Sequence, residues 1–286
     1  MGTKIKKNGL WYGAFLRLKR NKRAIIGIVV LLVVIVLCLL APVIAPEGYD
    51  AQDISIARQT PSAEHWFGTD NVGRDILHRI LYGGRISLAM GFVATMLSAV
   101  VGSLLGAVSG YYSGKIDSLL MRAMDIFQAI PSILLAIAIA SSLGSGIGNT
   151  MLAVGLSGIP MYARLMRGSV LSVREMEYVE SAVAVTASDF RVITKYIIPN
   201  VLSPIIVQMT MGYAGAIMTA ASLSFIGLGA QAPSPEWGAM ITAATSEVTH
   251  FPHMVFFPGL AIMLVVVSLN LLGDGVRDAL DPKMKL

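Results

Sequence analysis

Ile86-Ser-Leu-Ala-Met-Gly-Phe-Val-Ala-Thr-Met-Leu-Ser-Ala-Val-Val-Gly-Ser-Leu-Leu-Gly-Ala-Val-Ser-Gly-Tyr-Tyr-Ser-Gly114 runs for 29 residues without a charged side chain. Coiled as a helix, it is long enough to cross a bilayer core, which takes roughly 20 apolar residues. Four more charge-free runs lie at 24–46, 126–163, 196–235 and 251–273. Charged residues make up 14% of the 286 and hydrophobic ones 55%, whereas a soluble domain carries about 25% charged residues. That deficit excludes a soluble enzyme. The 28 Gly and 12 Pro follow no period, which excludes a fibrous or disordered chain. Cys38, the single cysteine, excludes an intramolecular disulfide, a zinc cluster and an iron–sulfur site. An all-α polytopic membrane protein remains.

The run at 126–163 is too long for one helix, and Gly144-Ser-Gly-Ile-Gly-Asn149 supplies turn chemistry inside it. It reads as helices at about 126–143 and 150–168. The run at 196–235 reads as a helix at about 201–224 followed by a Gly/Pro-rich segment from Gly227 to Pro235. Six transmembrane helices are expected: one N-terminal, then a block of five. The first apolar stretch exceeds the 7–15 residues of a signal-peptide core and no clear cleavage site follows, so it is expected to be retained.

Eighteen of the 22 Lys and Arg fall on one side of this arrangement, eight of them before residue 24. The other side has Arg58, Arg74, Arg79 and Arg85. The positive-inside rule places both termini in the cytoplasm of a multi-pass cell-membrane protein. The expected organisation is a basic cytoplasmic segment at 1–23, a first span at 24–46, an extracytoplasmic segment at 47–85, a core at 86–275 with a cytoplasmic loop at 169–200, and a tail at 276–286. The net charge of +5 follows from this topology and does not point to nucleic acid. Trp11, Phe15 and Leu18 share a face of a possible helix lying on membrane lipid; the alternative is a frayed basic tail.

Small residues recur every four positions at Ala94, Ser98, Gly102, Gly106, Gly110 and Gly114, a stripe that lets helices approach closely in lipid. Helix packing is the favoured reading, a ligand path the other. Ser109-Gly-Tyr-Tyr-Ser-Gly-Lys115 fails as a phosphate loop because Ser109 and Ile116 stand where Gly and Ser or Thr are required. His250 and His253 are weak candidates for metal ligation. The spans have no ionisable residue at their middle, as a proton-driven carrier would need. Asp125 is spaced to pair with Arg122, and Asp274 with Arg277, as interface anchors. If the chain transports, something else supplies the energy.

The stretch from Arg174 to Asn200 suits two short helices, Glu175 to about Val185 and a second from Ser188 as cap to Pro199. Its Glu180-Ser181-Ala182, with Pro199 nineteen positions after Glu180, resembles the "EAA" loop of ABC-importer permeases. The chain departs from that family's pattern at Ser181, Thr186, Tyr196 and Ile198. Thr186 replaces a Gly whose positive φ threonine disfavours, so either the loop opens differently or Ala187-Ser-Asp189 takes over the turn. Phe67-Gly-Thr-Asp70-x-x-Gly-Arg-Asp75-x-x-x-Arg79, Ser224-Phe-Ile-Gly-Leu-Gly229, Pro233-x-Pro-x-Trp-Gly238 and Asn270-Leu-Leu-Gly-Asp274 through Pro282 are similar to dipeptide, oligopeptide and nickel importers. From about Arg17 to Pro282 the chain resembles their C-type permease subunit, a type-1 ABC transmembrane domain.

The resemblance implies a heterodimer with a second homologous permease, two cytoplasmic ATPase subunits and an extracytoplasmic substrate-binding protein. It implies no cofactor on this chain, with ATP and Mg held by the ATPases, and no bond chemistry. Glu180, Ser181, Ala182, Thr186, Ala187, Asp189 and Pro199 would form the ATPase-coupling loop. The segment from Gly48 to Arg85, with Asp70, Arg74, Asp75 and Arg79 on neighbouring helical turns, and the loop from Gly229 to His253 would face the binding protein. Di- or oligopeptides are the expected cargo; nickel or a nickel chelate, glutathione and opines are alternatives. A secondary carrier and an intramembrane enzyme are the readings from other classes.

Overall fold

The computed structural model of the chain describes residues 10–280, with side chains from Tyr12 onward. Lys4, Lys6, Lys7, Pro282, Lys283, Lys285 and the side chain of Trp11 lie outside the described residues. The described chain is helical throughout: α1 Leu10–Leu18, α2 Lys22–Leu39, α3 Ala41–Ile44, α4 Ile76–Tyr112, α5 Gly114–Gln128, α6 Ser132–Leu143, α7 Ile147–Val173, α8 Glu177–Ala184, α9 Asp189–Arg191, α10 Ile198–Phe225, α11 Trp237–Ala244 and α12 His253–Leu280. Short 3₁₀ turns sit at Ile54–Ile56 and Thr245–Glu247, and an isolated β-bridge joins Thr69 to Asp75.

Helix α2, α4, the continuous stretch Asp189–Phe225 and α12 are each long and apolar enough to cross a membrane; α5 with α6 passes as a fifth. Gly, Ser, Asn and Pro dilute α7, which packs against α4, α6 and α10 and so has less need of a lipid-facing surface. Val29, Leu32, Val33 and Val36 stand exposed on one stripe of α2, the spacing of a face turned to lipid.

Three expected boundaries move. Helix α4 begins ten residues before 86, because Asp75 caps it by accepting a bond from the His78 N–H at 3.0 Å. Its 37 residues span about 55 Å, well beyond a core of about 30 Å. Arg85, which reads as a loop charge, donates to the last carbonyls of α2, Cys38 at 2.7 Å and Leu39 at 2.6 Å. The helix expected at 126–143 breaks instead at Pro131, where α5 and α6 meet at 87°. Proline has no N–H to give and pushes Ile130 before it out of the helical region. Pro199 ends nothing: it occupies the first turn of α10, and the π-helical turn Val192–Ile197 carries the chain into it from α9.

The expected anchor pairs also change. Asp125 accepts from Arg164 of α7 at 2.5 Å, and no ion pair joins it to Arg122 among the described residues. Asp117, near the start of α5, takes Arg167 at 2.5 Å. These bridges to α7 outcompete bonds within one helix because they fasten α5 across its neighbour. Nor is an Asp274–Arg277 pair present among the described residues; Asp278 instead accepts from Asn21, the cap of α2, at 3.4 Å. On α1, Ala14 and Leu18 pack against α12 through Val276, Ala279 and Leu280, whereas Phe15 turns outward beneath the Lys19 ammonium.

Within the small-residue stripe Gly102, Gly106 and Gly110 pack tightly on α7, whereas Gly114 begins α5 and a Cβ there would meet nothing within 4 Å. A Cβ on Gly102 would meet the Ile159 carbonyl oxygen at 2.6 Å, one on Gly106 would collide with the Ala163 carbonyl, and one on Gly110 would meet Val170 Cβ at 2.9 Å. The contacts advance together along both chains, so α4 and α7 run parallel with their backbones nearly touching. Helix α10 crosses them in the opposite sense, with Tyr162 Oη donating to the Gln208 carbonyl at 3.3 Å and Tyr213 Oη to that of Leu88 at 2.9 Å. Gly106→Leu should therefore destabilise the bundle by about 3 kcal/mol or more, the upper end for overpacking. Gly168→Ala on α7, where a Cβ meets nothing within 4 Å, should be neutral or stabilising. Thermal unfolding of the two variants in detergent checks the contrast.

Candidate functional site

Three features of the described surface stand out: the turn after α7, the cap over the opposite end, and a side groove.

Helix α8 turns Val179 inward into a cluster with Val170, Val192, Ile197 and Val201, and Ala182 is buried beside it. Glu180 and Ser181 are exposed, as are Val183, Val185 and Phe190, the last two at 74% and 77%. The Ala187 N–H bonds back to the Ala182 carbonyl at 3.3 Å and that of Thr186 to Val183 at 3.0 Å. This pair of bonds is the Schellman motif, which places a left-handed residue just past the helix. That residue is Thr186, with φ 58°. The turn is thus neither reopened nor handed to Ala187-Ser-Asp189; threonine adopts the glycine conformation. Pro199 is exposed at the far end of the same segment, and Ala187 is half-buried.

The loop is tied to the end of α4 through partners that sequence reasoning did not single out, Tyr111, Tyr112 and Ser113. Asp189 accepts bonds from Tyr111 Oη at 2.9 Å and Tyr112 Oη at 3.0 Å. Arg174 donates to the Gly110 and Tyr111 carbonyls at 3.3 Å and to the Ser113 hydroxyl. Paired tyrosines at a helix end were the available signal.

At the other end, the segment from Tyr49 to Asp75 folds down as a cap. Asp70 accepts from Arg74 Nε at 2.7 Å and lies 3.6 Å from Arg79 Nε. Arg74 reaches Asp50 at 3.2 Å, and Arg79 reaches the carbonyls of Tyr49 at 3.3 Å and Pro233 at 3.4 Å. Asp70, Arg74 and Arg79 thus cluster, but not on successive helical turns: Asp70 to Arg74 form a turn and only Arg79 lies within α4. Asp75 stands apart from them, capping α4 and pairing with His65 at 2.8 Å. Arg74 and Arg79 are buried, so their charges bind the cap to its own chain. Outside the spans, the Ser55 hydroxyl and N–H hold the Asp53 carboxyl below its ordinary value, and the Glu247 carboxylate, 2.7 Å away, holds Arg58 above its own.

The stretch from Gly229 to His253 is not a plain surface loop. It re-enters the bundle as α11, with Trp237 and Glu236 almost fully buried. Glu236 caps α11 through the Ala239 N–H at 2.9 Å and accepts from the Ser87 hydroxyl at 3.1 Å, and Trp237 Nε1 donates to the Ile80 carbonyl at 3.0 Å. These bonds satisfy a carboxylate and an indole that would otherwise favour water. His250 and His253 do not converge on a common point; their rings flank Phe251.

The groove, of about 450 Å³, opens on the side of the bundle between α7, α10 and the bend after α5. Thr95 and Ser98 of α4 form its floor, with Ser157 and Met161 on one wall and Gln208, Gly215 and Thr219 on the other.

Residues 102–286 match the family described as binding-protein-dependent transport system inner membrane component, and residues 9–61 match the N-terminal TM domain of oligopeptide transport permease C. The chain is 48% identical over 275 residues to the dipeptide transport system permease protein DppC of Alkalihalophilus pseudofirmus, covering 96% of this chain and 90% of that one. It is 46% identical over 278 residues to the glutathione transport system permease protein GsiD of Escherichia coli O6:K15:H31, covering 96% and 91%. An inward-facing structure of the MetNI methionine ABC transporter superposes with a TM-score of 0.59 at 17% identity, over 71% of this chain and 96% of that one; this likeness speaks for the fold.

A left-handed threonine costs on the order of 1–2 kcal/mol relative to glycine. Thr186→Gly should recover about 1 kcal/mol of that locally, the rest going to the greater freedom of the unfolded glycine. Amide exchange across residues 182–190 should slow by about fivefold; unchanged or faster exchange would mean that the turn carries no strain.

Proposed function

The chain belongs to the family of binding-protein-dependent transport system inner membrane components; from that premise we propose that it carries di- or oligopeptides through the cell membrane as half of a permease heterodimer driven by two cytoplasmic ATPases. A permease subunit of an importer spans the membrane and moves its cargo without altering it. On this reading ATP and Mg belong to the ATPases, and an extracytoplasmic binding protein hands substrate to the capped end.

The α8 end is the cytoplasmic one, since Lys and Arg gather there, and both termini lie on that side. The single observation that carries the coupling role is the exposed apolar crown of Val183, Val185 and Phe190. It stands on a short helix whose base is fastened by Asp189 and Arg174 to the end of α4. Exposed apolar side chains on a rigid mount suit a cleft in a partner protein better than water. Glu180, exposed beside Val183, supplies a charge at the rim of that contact, whereas Ala182 acts from inside by letting α8 lie close on α7 and the π-helical turn. Closure of the ATPases would then push the mount, and with it α4 and α7, toward an outward-open state; hydrolysis would let them return.

Glutathione, itself a tripeptide, is the second reading of the cargo, supported by the likeness to GsiD. The segment from Tyr49 to Asp75 and the re-entrant α11 are proposed to receive the binding protein together, as one cap. The buried arginines fix the shape of that cap and do not touch the partner.

Phe190→Ala should leave the permease folded, because the side chain is largely exposed and belongs to no core cluster. It should weaken ATPase association by about 2 kcal/mol, about thirtyfold, as loss of an interface anchor does. Co-purification of the ATPases with the variant, titrated against wild type, reads this out. ATPases recovered at the wild-type ratio would place the coupling contact elsewhere.

A further inference from the structure

The side groove has a mixed lining, mostly apolar with hydroxyls and amides set into it. Its α10 wall is a single stripe, Gln208, Gly212, Gly215 and Thr219, at spacings of one to three turns. Its volume of about 450 Å³ falls within the roughly 300–1,000 Å³ of small-molecule sites. Hydroxyls and amides supply its polarity, and none of the described residues lining it is charged. The hydroxyls of Thr95, Ser98, Ser157 and Thr219 each donate to a backbone carbonyl, which leaves the Gln208 side-chain amide free to meet an occupant.

Two of these residues, Gln208 and Gly215, face the open groove. The Gln208 side-chain Nε2 meets only the Met161 sulfur, at 3.4 Å, a weak acceptor, and no hydrogen bond reaches its side-chain Oε1 among the described residues. Gly215 sits mid-helix, where glycine is less stable than alanine, yet a Cβ there would meet nothing within 4 Å. Gly212, one turn away, is different: a Cβ would collide with the Tyr162 hydroxyl. Packing therefore accounts for Gly212 and not for Gly215, where the open space itself is what the glycine preserves. Pro160, also in the wall, has no N–H, so the Leu156 carbonyl loses its helical donor.

We propose that this groove is the chain's share of the substrate path, that Gln208 reads the passing substrate through its amide, and that Gly215 keeps the path open. The occupant is an uncharged, amide-bearing segment such as a peptide backbone, which offers donors to the Gln208 carbonyl and acceptors to its NH₂. A bare divalent cation would find there neither carboxylate nor imidazole. This inference rests on the importer reading and narrows its substrate class.

The test uses the whole complex in proteoliposomes: this chain, the second permease, both ATPases and the binding protein, with ATP enclosed. Uptake of labelled alanyl-alanine, lysyl-alanine and glutamyl-alanine is compared. Gln208→Lys should depress lysyl-alanine against alanyl-alanine by about tenfold, as a like charge a few Å from the path would. Gln208→Glu should do the same to glutamyl-alanine, and peptide affinity of the separate binding protein stays as it was. Gly215→Phe should stop all three while the complex still assembles and hydrolyses ATP. Equal losses for the three peptides in both Gln208 variants would overturn the proposal, as would wild-type uptake by Gly215→Phe. Loss of the second permease from the Gln208→Lys complex would overturn it too, by making the groove a subunit contact. If the wild-type complex moves none of the peptides, the peptide-importer reading itself fails, a result that needs no variant.

Discussion

Backbone contact between α4 and α7 is possible only because residues 102, 106 and 110 are glycines. In lipid there is no water to drive helices together, so close approach and dispersion must do it. The three glycines face carbonyls and Cβ atoms of Ile159, Ala163 and Val170 that leave no room for a methyl group. Once α4 and α7 are locked in parallel, their ends are fixed relative to one another. Everything built on those ends inherits that geometry: the α8 turn below, the buried arginine cluster above, the groove at the side.

The same contact gives the coupling proposal a mechanical route. Arg174 ends α7 and bonds to the last carbonyls of α4, and Asp189 holds the tyrosines at the same place. A push on α8 would thus enter both helices at once. Ser98 of α4 and Ser157 of α7, higher on the same pair, border the groove. A small rotation of the locked pair would change the width of the groove without any rearrangement inside either helix. The prolines at 131 and 204 are where neighbouring helices can bend to accommodate it.

Much of this was legible in the residues. Charge-free runs marked the apolar helices, and the four-residue repeat of small side chains marked the packing seam. What escaped was legible only in three dimensions. Arg79 and Arg85 read as loop charges because an isolated arginine avoids lipid; each is satisfied by partners distant in sequence, Tyr49 and Pro233 for one and the end of α2 for the other. Glu236 among prolines reads as a surface turn, yet Ser87 and the Ala239 N–H make it a buried cap. Thr186 was recognised as the wrong residue for a left-handed turn, but the Schellman bonds impose that conformation on it. Gln208 drew no attention as one amide in a mostly apolar run; only the groove gives it a neighbourhood.

The central claim is that this chain moves substrate with energy supplied from outside itself. The most direct measurement is substrate uptake into proteoliposomes holding the complete complex, energised either by enclosed ATP or by an imposed proton or sodium gradient. The account predicts uptake that requires enclosed ATP and the external binding protein and is indifferent to either gradient. Uptake driven by a gradient in vesicles that contain the two permeases without the ATPases would contradict it.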